Sequence, residues 1–196
     1  MKKISNTPKG HMGATIKFST LDEKELFLKD FKSESQINRI FNSWFYENEY
    51  NTNKFNFKEV IIDELLDKKL VSEESFYNNG GTLEKLHLSV SKEFKNLDES
   101  EQNKMSNSFY ETSKSLKMLY KNFIEKIISP FFSDAVYFQT VPTFRFHFPN
   151  QEGYNWKDRY HTDIMLGHPP YEINIWLPFT KTYDSNSMRI TSYDDS

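Results

Sequence analysis

The hydrophobic pattern of this 196-residue chain changes period once, close to Pro130, and that change limits the fold more than any single motif does. Upstream, Leu83, Leu86, Val90, Phe94 and Leu97 recur at steps of 3, 4, 4 and 3, and Phe109, Leu116, Tyr120, Phe123 and Ile127 continue in the same manner. Residues so spaced gather on one face of an α-helix. Downstream, Phe144, Phe146 and Phe148 alternate with Thr143, Arg145 and His147, and Ile173, Ile175 and Leu177 alternate with Glu172, Asn174 and Trp176. That is the period of a strand with two unlike faces. Fifteen of the 32 aromatic residues lie from Phe131 onward, so the second region carries a large share of the apolar bulk. The expected fold class is therefore α+β: a mainly helical region over residues 1–133 and a strand-rich region over 134–196, forming one structural unit.

Local signals divide the helical region. Thr20-Leu21-Asp22-Glu23 has the form of a capping box, in which hydroxyl and carboxylate each satisfy a free backbone N–H at a helix start. Leu21, Phe27 and Phe31 then predict a short amphipathic helix. Ile37, Ile40, Phe41 and Phe45 predict a second over residues 36–46, and Phe57, Val60, Ile61, Leu65 and Leu66 a third over 57–70. Asn78-Asn79-Gly80-Gly81 predicts a turn. His87, set among Leu86, Leu88 and Lys85, reads as structural.

Composition excludes several function classes. Without cysteine there is no disulfide framework, thiolate nucleophile or iron–sulfur site, so any metal must sit on His, Asp or Glu. A formal net charge of −3 argues against nucleic acid as a partner, and no apolar run approaches the length of a membrane span. The expected setting is the cytoplasm. Only four of the 25 basic residues are Arg, which makes each a candidate fork for a carboxylate.

The densest chemistry is His161-Thr162-Asp163. On a strand, residues i and i+2 share a face, so one imidazole and one carboxylate would converge, as in two-thirds of a facial triad holding Fe(II). Spacing alone equally fits a surface His and Asp pair. Arg145 and His147 would present polar groups from the neighbouring strand, either to a cavity or to water.

The ordered stretches Pro142-Thr143-Phe144-Arg145-Phe146-His147-Phe148-Pro149, Tyr160-His161-Thr162-Asp163, Gly167-His168-Pro169-Pro170, Glu172-Ile173-Asn174-Ile175-Trp176-Leu177-Pro178 and Asn186-Ser187-Met188 resemble a StrG-like group of bacterial biosynthesis proteins. That group is similar to a branch of the Fe(II)/2-oxoglutarate-dependent oxygenases near the phytanoyl-CoA hydroxylase type. The resemblance covers about residues 135–190. It implies helices packed on a double-stranded β-helix, or jelly-roll barrel, and a dioxygenase that hydroxylates a small molecule while 2-oxoglutarate is converted to succinate. It makes His161 and Asp163 ligands of Fe(II), and it places Arg145 and Asn174 toward 2-oxoglutarate. His147, His168 and Trp176 would stand near the substrate or support the ligands.

The same resemblance calls for a distal His ligand and a following Arg. After Asp163 the only His is His168, five residues on and followed by two prolines, and the only Arg is Arg189. A jelly roll also needs about eight strands, and four or five can be read after Ala135. The expectation is a shortened, incomplete barrel of low activity whose open sheet edge favours self-association. Two other readings compete. One is a non-catalytic binding or interaction protein on a degenerate oxygenase fold. The other is a hydrolase placing a divalent metal on His161, Asp163 and His168 or His147.

Overall fold

In the computed structural model, which describes residues 3–6, 14–17, 20, 22, 45–97, 102–132, 135–149 and 172–188, helix α1 (Phe57–Asp67) begins where Asn56 caps it. The Asn56 side chain accepts a hydrogen bond from the Glu59 N–H at 3.3 Å and its amide donates to the Glu59 carboxylate. Two groups at the helix start are thereby satisfied. Phe57, Ile61 and Leu65 are buried on the face the spacing predicted. The helix ends at Lys69, whose φ of 55° lies in the left-handed region. There the Leu70 N–H donates to Leu65 O at 3.0 Å and the Lys69 N–H to Leu66 O at 2.9 Å, a Schellman closure that buries Leu70 beside Leu65.

Helix α2 (Glu73–Asn78) repeats this plan with better-suited residues. Ser72 caps it through the Ser75 N–H, and Gly80 at φ 100° takes the left-handed position, so that the Gly81 N–H reaches Phe76 O at 2.9 Å. The paired glycines make the expected turn because a side chain there would be strained.

The stripe from Leu83 to Leu97 does not form one helix. A 3-10 turn over Leu83–Leu88 stops at Ser89, and helix α3 (Lys92–Lys95) restarts after Ser91. The Ser89 hydroxyl donates to Ser75 O at 3.0 Å and accepts from the Asn79 amide at 3.2 Å, so it is bonded to the end of α2. Serine competes well for backbone partners, and here that competition divides the helix. Leu83, Leu86 and Val90 are still buried. Helix α4 (Lys104–Ser108) carries buried Met105 and leads into Phe109. Helix α5 (Lys114–Phe123) continues through a wider π-type turn (Ile124–Ile128) and a 3-10 turn containing Pro130 (Ser129–Phe131).

Glu64 is buried to 4 % exposure yet fully engaged. Its two carboxylate oxygens accept from the Ser113 N–H at 3.0 Å each, and Lys68 Nζ lies 3.5 Å away. Lys68 in turn donates to Ser108 O at 3.1 Å and to Glu111 O. A charge on α1 thus fixes the loop joining α4 to α5. Buried charges persist only when so compensated.

The structure divides into two compact units: Met1–Asn48, Asn155–Trp176 and Ile190–Ser196 form one, and Glu49–Tyr154 with Leu177–Arg189 the other. The first contains an antiparallel hairpin, β1 (Lys3–Asn6) and β2 (Ala14–Lys17), with Ile4 opposite Ile16 and Ser5 opposite Thr15. The second contains all the helices named above. The expected helix around Leu21, Phe27 and Phe31 lies almost wholly outside the described residues. Of the helix expected over 36–46, Phe45 and Tyr46 are described, and both are non-helical and exposed.

The α+β expectation of helices on a double-stranded β-helix, or jelly roll, is overturned. Among the described residues of region 134–196 there is no strand, and the one described sheet is the N-terminal hairpin. Residues 143–148 and 172–177, both read as strands from their periodicity, belong to no ladder. The physical reason is visible at residues 143–148. Phe144 and Phe148 are buried, Phe146 is half-buried, and Thr143, Arg145 and His147 are exposed, so the alternation is real. However, the backbone of Phe146 finds its partners in two side chains at the start of α4, Asn103 and Ser106. Period-two burial reports which side of a segment is covered, and it does not report what satisfies its peptides.

Candidate functional site

The segment carrying Arg145 and His147 is held by two residues at the start of α4. Asn103, 2 % exposed, accepts from the Ser106 N–H at 2.8 Å as the helix cap and from the Ser106 hydroxyl at 2.9 Å, while its amide donates to Phe146 O. The Ser106 hydroxyl accepts from the Phe146 N–H at 3.0 Å. Both backbone polar groups of Phe146 are thereby bound by side chains, and the rings of Phe144 and Phe148 are buried. Phe109 meets Phe144 and Phe146 at ring separations of 4.9 and 5.0 Å, and Phe144 stacks on Phe179 at 6.4 Å. Phe179 contacts Phe57, which packs edge-on against Phe123. Arg145 and His147 consequently stand on the outer side of a rigid aromatic seam.

Glu84 faces Lys58 and the backbone of Lys181. Its carboxylate accepts from Lys58 Nζ at 3.0 Å. Burial by itself would raise its pKa, but hydrogen bonds from its own backbone, from Lys58 and from the Lys181 backbone outweigh burial and leave it below the usual carboxylate range.

The sequence-derived site residues fall in three places. His161, Asp163 and His168 lie outside the described residues. Arg145 and His147 are exposed on the segment just described, and Asn174 and Trp176 are exposed in the other unit, where Trp176 lies in irregular backbone. Among the described residues no three His, Asp or Glu side chains are close enough to hold a metal ion. The donor chemistry of His161 and Asp163 suits Fe(II).

The cavity that sequence reasoning missed lies between α5 and residues 136–140. Its volume is about 390 Å³, and it is lined by Lys117, Tyr120, Lys121, Val136, Tyr137, Phe138 and Thr140. Phe138, partly exposed, packs edge-on against Tyr120 at 5.8 Å, and burial raises the Tyr120 pKa. Tyr137 is 96 % exposed at the rim. The available signal was the pair Lys117 and Lys121, one turn apart on the polar side of the α5 stripe.

No helix among the described residues is long and apolar enough to cross a membrane. No family model matches the chain, and no solved structure shows significant similarity to it. The chain is 33 % identical over 82 residues to the streptomycin biosynthesis protein StrG of Streptomyces griseus, a match covering 42 % of this chain and 39 % of that protein. The chain thus spans well under half the length of the curated relative it matches, and what the comparison establishes is a distant similarity to a biosynthesis protein.

Proposed function

We propose that this chain serves in the biosynthesis of a small molecule, in the cytoplasm, as an Fe(II)- and 2-oxoglutarate-dependent dioxygenase with His161 and Asp163 as iron ligands. The observation that carries the reading is the similarity to the streptomycin biosynthesis protein over 82 residues. The pairing of an imidazole and a carboxylate two residues apart supports it. Bound Fe(II) would let O2 act as the oxidant, one oxygen atom going to the substrate C–H bond and the other to 2-oxoglutarate as it loses CO2 and becomes succinate. Arg145 and Asn174 are the candidates for the co-substrate carboxylate, Arg145 through its planar fork. His147, His168 and Trp176 are the candidates for lining the substrate position.

Calorimetric titration with Fe(II) or Mn(II), with and without 2-oxoglutarate, tests this. Metal binding tightened by 2-oxoglutarate and lost in Asp163→Ala is the expected result, together with succinate release by the wild-type chain. Absence of metal binding in both conditions overturns it.

A second reading, a non-catalytic binding protein for a partner or small molecule, is favoured by one specific observation. The aromatic segment at 143–148 is locked onto a helical body by Asn103 and Ser106 instead of forming a barrel wall. That reading predicts no succinate release under any metal condition.

A further inference from the structure

The cavity beside α5 is remote in sequence from His161 and Asp163 and has a chemistry of its own. Its base is apolar: Val136, Phe138 and the ring of Tyr120. Its rim is cationic, since Lys117 and Lys121 both project from the exposed side of α5. Lys114 precedes them on the same face, one turn before Lys117. The acidic group on this face is Glu125, 3.6 Å from Lys121 Nζ in an exposed pair, which is weakly held and open to exchange. Tyr120 and Thr140 add neutral hydroxyls. At about 390 Å³ the space falls at the lower end of small-ligand sites.

The geometry points to a binding site for a small amphipathic anion: one aromatic or similarly flat apolar body carrying one phosphate or carboxylate, the ring on Phe138 and Tyr120 and the charge between Lys117 and Lys121. A flat ring laid on the partly exposed Phe138 and Tyr120 would remove apolar surface from water, while two ammonium groups at the mouth attract a negative charge without a desolvation cost that would cancel the gain. This assignment stands whether or not the chain binds iron.

The test uses the full chain with phenyl phosphate as probe, followed through backbone amide NMR shifts. Phenol and inorganic phosphate are the separate-half controls, and benzoate distinguishes a carboxylate from a phosphate preference. The expected result is saturable shifts at residues 117–121 and 136–140, with Kd on the order of millimolar for so small a probe. Both halves alone should bind at least fivefold more weakly. Lys117→Gln and Lys121→Gln should each weaken phenyl phosphate about two- to fivefold and leave phenol unchanged, as expected for exposed charge contacts. Both substitutions are at exposed positions, and unchanged amide spectra of the free variants establish that the fold is kept. Shifts located elsewhere, equal binding of phenol, equal binding of inorganic phosphate, or indifference to both lysine substitutions would overturn the assignment.

Discussion

Helix α1 and the segment 143–148 bury similar aromatic and aliphatic rows, yet they satisfy their backbones in opposite ways. In α1 the peptides bond to residues four positions away, and the ends are closed by Asn56 and by the turn at Lys69. At Phe146 the peptide bonds to Asn103 and Ser106, about 40 residues distant. Local bonding makes an element readable from a short window of sequence. Remote bonding by side chains does not, because any segment with alternating phenylalanines displays the same pattern.

Phe109 lies in the core cluster to which both contribute side chains, and removing it is the most severe way to break the pair. It is fully buried and contacts Phe144 and Phe146. Phe109→Ala should cost about 3–5 kcal/mol, the usual range for an aromatic core truncation, read as a lower urea midpoint. If the loss is under about 1 kcal/mol, within what a partly exposed side chain would give, the two regions are not jointly packed.

A smaller effect isolates the remote bonds. Ser72→Ala removes a helix cap and should cost about 1 kcal/mol. Asn103→Ala removes a cap and also the acceptor and donor that hold Ser106 and Phe146, and should cost about 2–3 kcal/mol, since a buried peptide group is left unsatisfied. A double-mutant cycle with Ser106→Ala should show coupling of at least about 0.5 kcal/mol. Equal costs for Ser72→Ala and Asn103→Ala would mean that the segment is held by its rings alone.

The comparison between the ends of α1 and α2 yields a stabilising change. Lys69 occupies the left-handed position that Gly80 fills in α2. Lys69→Gly should raise stability by up to about 1 kcal/mol, the typical strain of a side chain there, visible as a higher Tm. Gly80→Ala should do the reverse.

The smallest effect is pH-dependent and concerns residues 177–188. Because the folded pKa of Glu84 lies below its unfolded value, its contribution is present above the ordinary carboxylate pKa. It is lost as pH falls through the folded value. Glu84→Gln should flatten that acid limb of the stability curve and leave neutral pH nearly unchanged, because the group is substantially exposed and screened. Urea titrations at several pH values below neutrality check it, and an acid limb identical in both proteins would show that Glu84 does not fasten this segment.

Much of the helical body was legible. The row Phe57, Ile61 and Leu65, the break at Gly80-Gly81 and the stop near Pro130 all appear where the residues indicated. The division at Ser89 was not, because it depends on Ser89 reaching Ser75 and Asn79 across a turn. The hairpin of β1 and β2 was also missed. Its strands are four residues each, too short for periodicity to register. Of the candidate site, the residue types at 161 and 163 came from sequence, whereas the cavity at Lys117, Tyr120 and Phe138 required the folded chain.

The sequence by itself determined the row that α1 buries, the break at Gly80-Gly81 and which side of segment 143–148 is covered, because glycines and apolar spacing act over a few residues. Only the tertiary structure decided what the alternating segment after Pro142 packs against. Its peptide partners, Asn103 and Ser106, are near no part of it in sequence, and a hydrogen bond requires a partner in space.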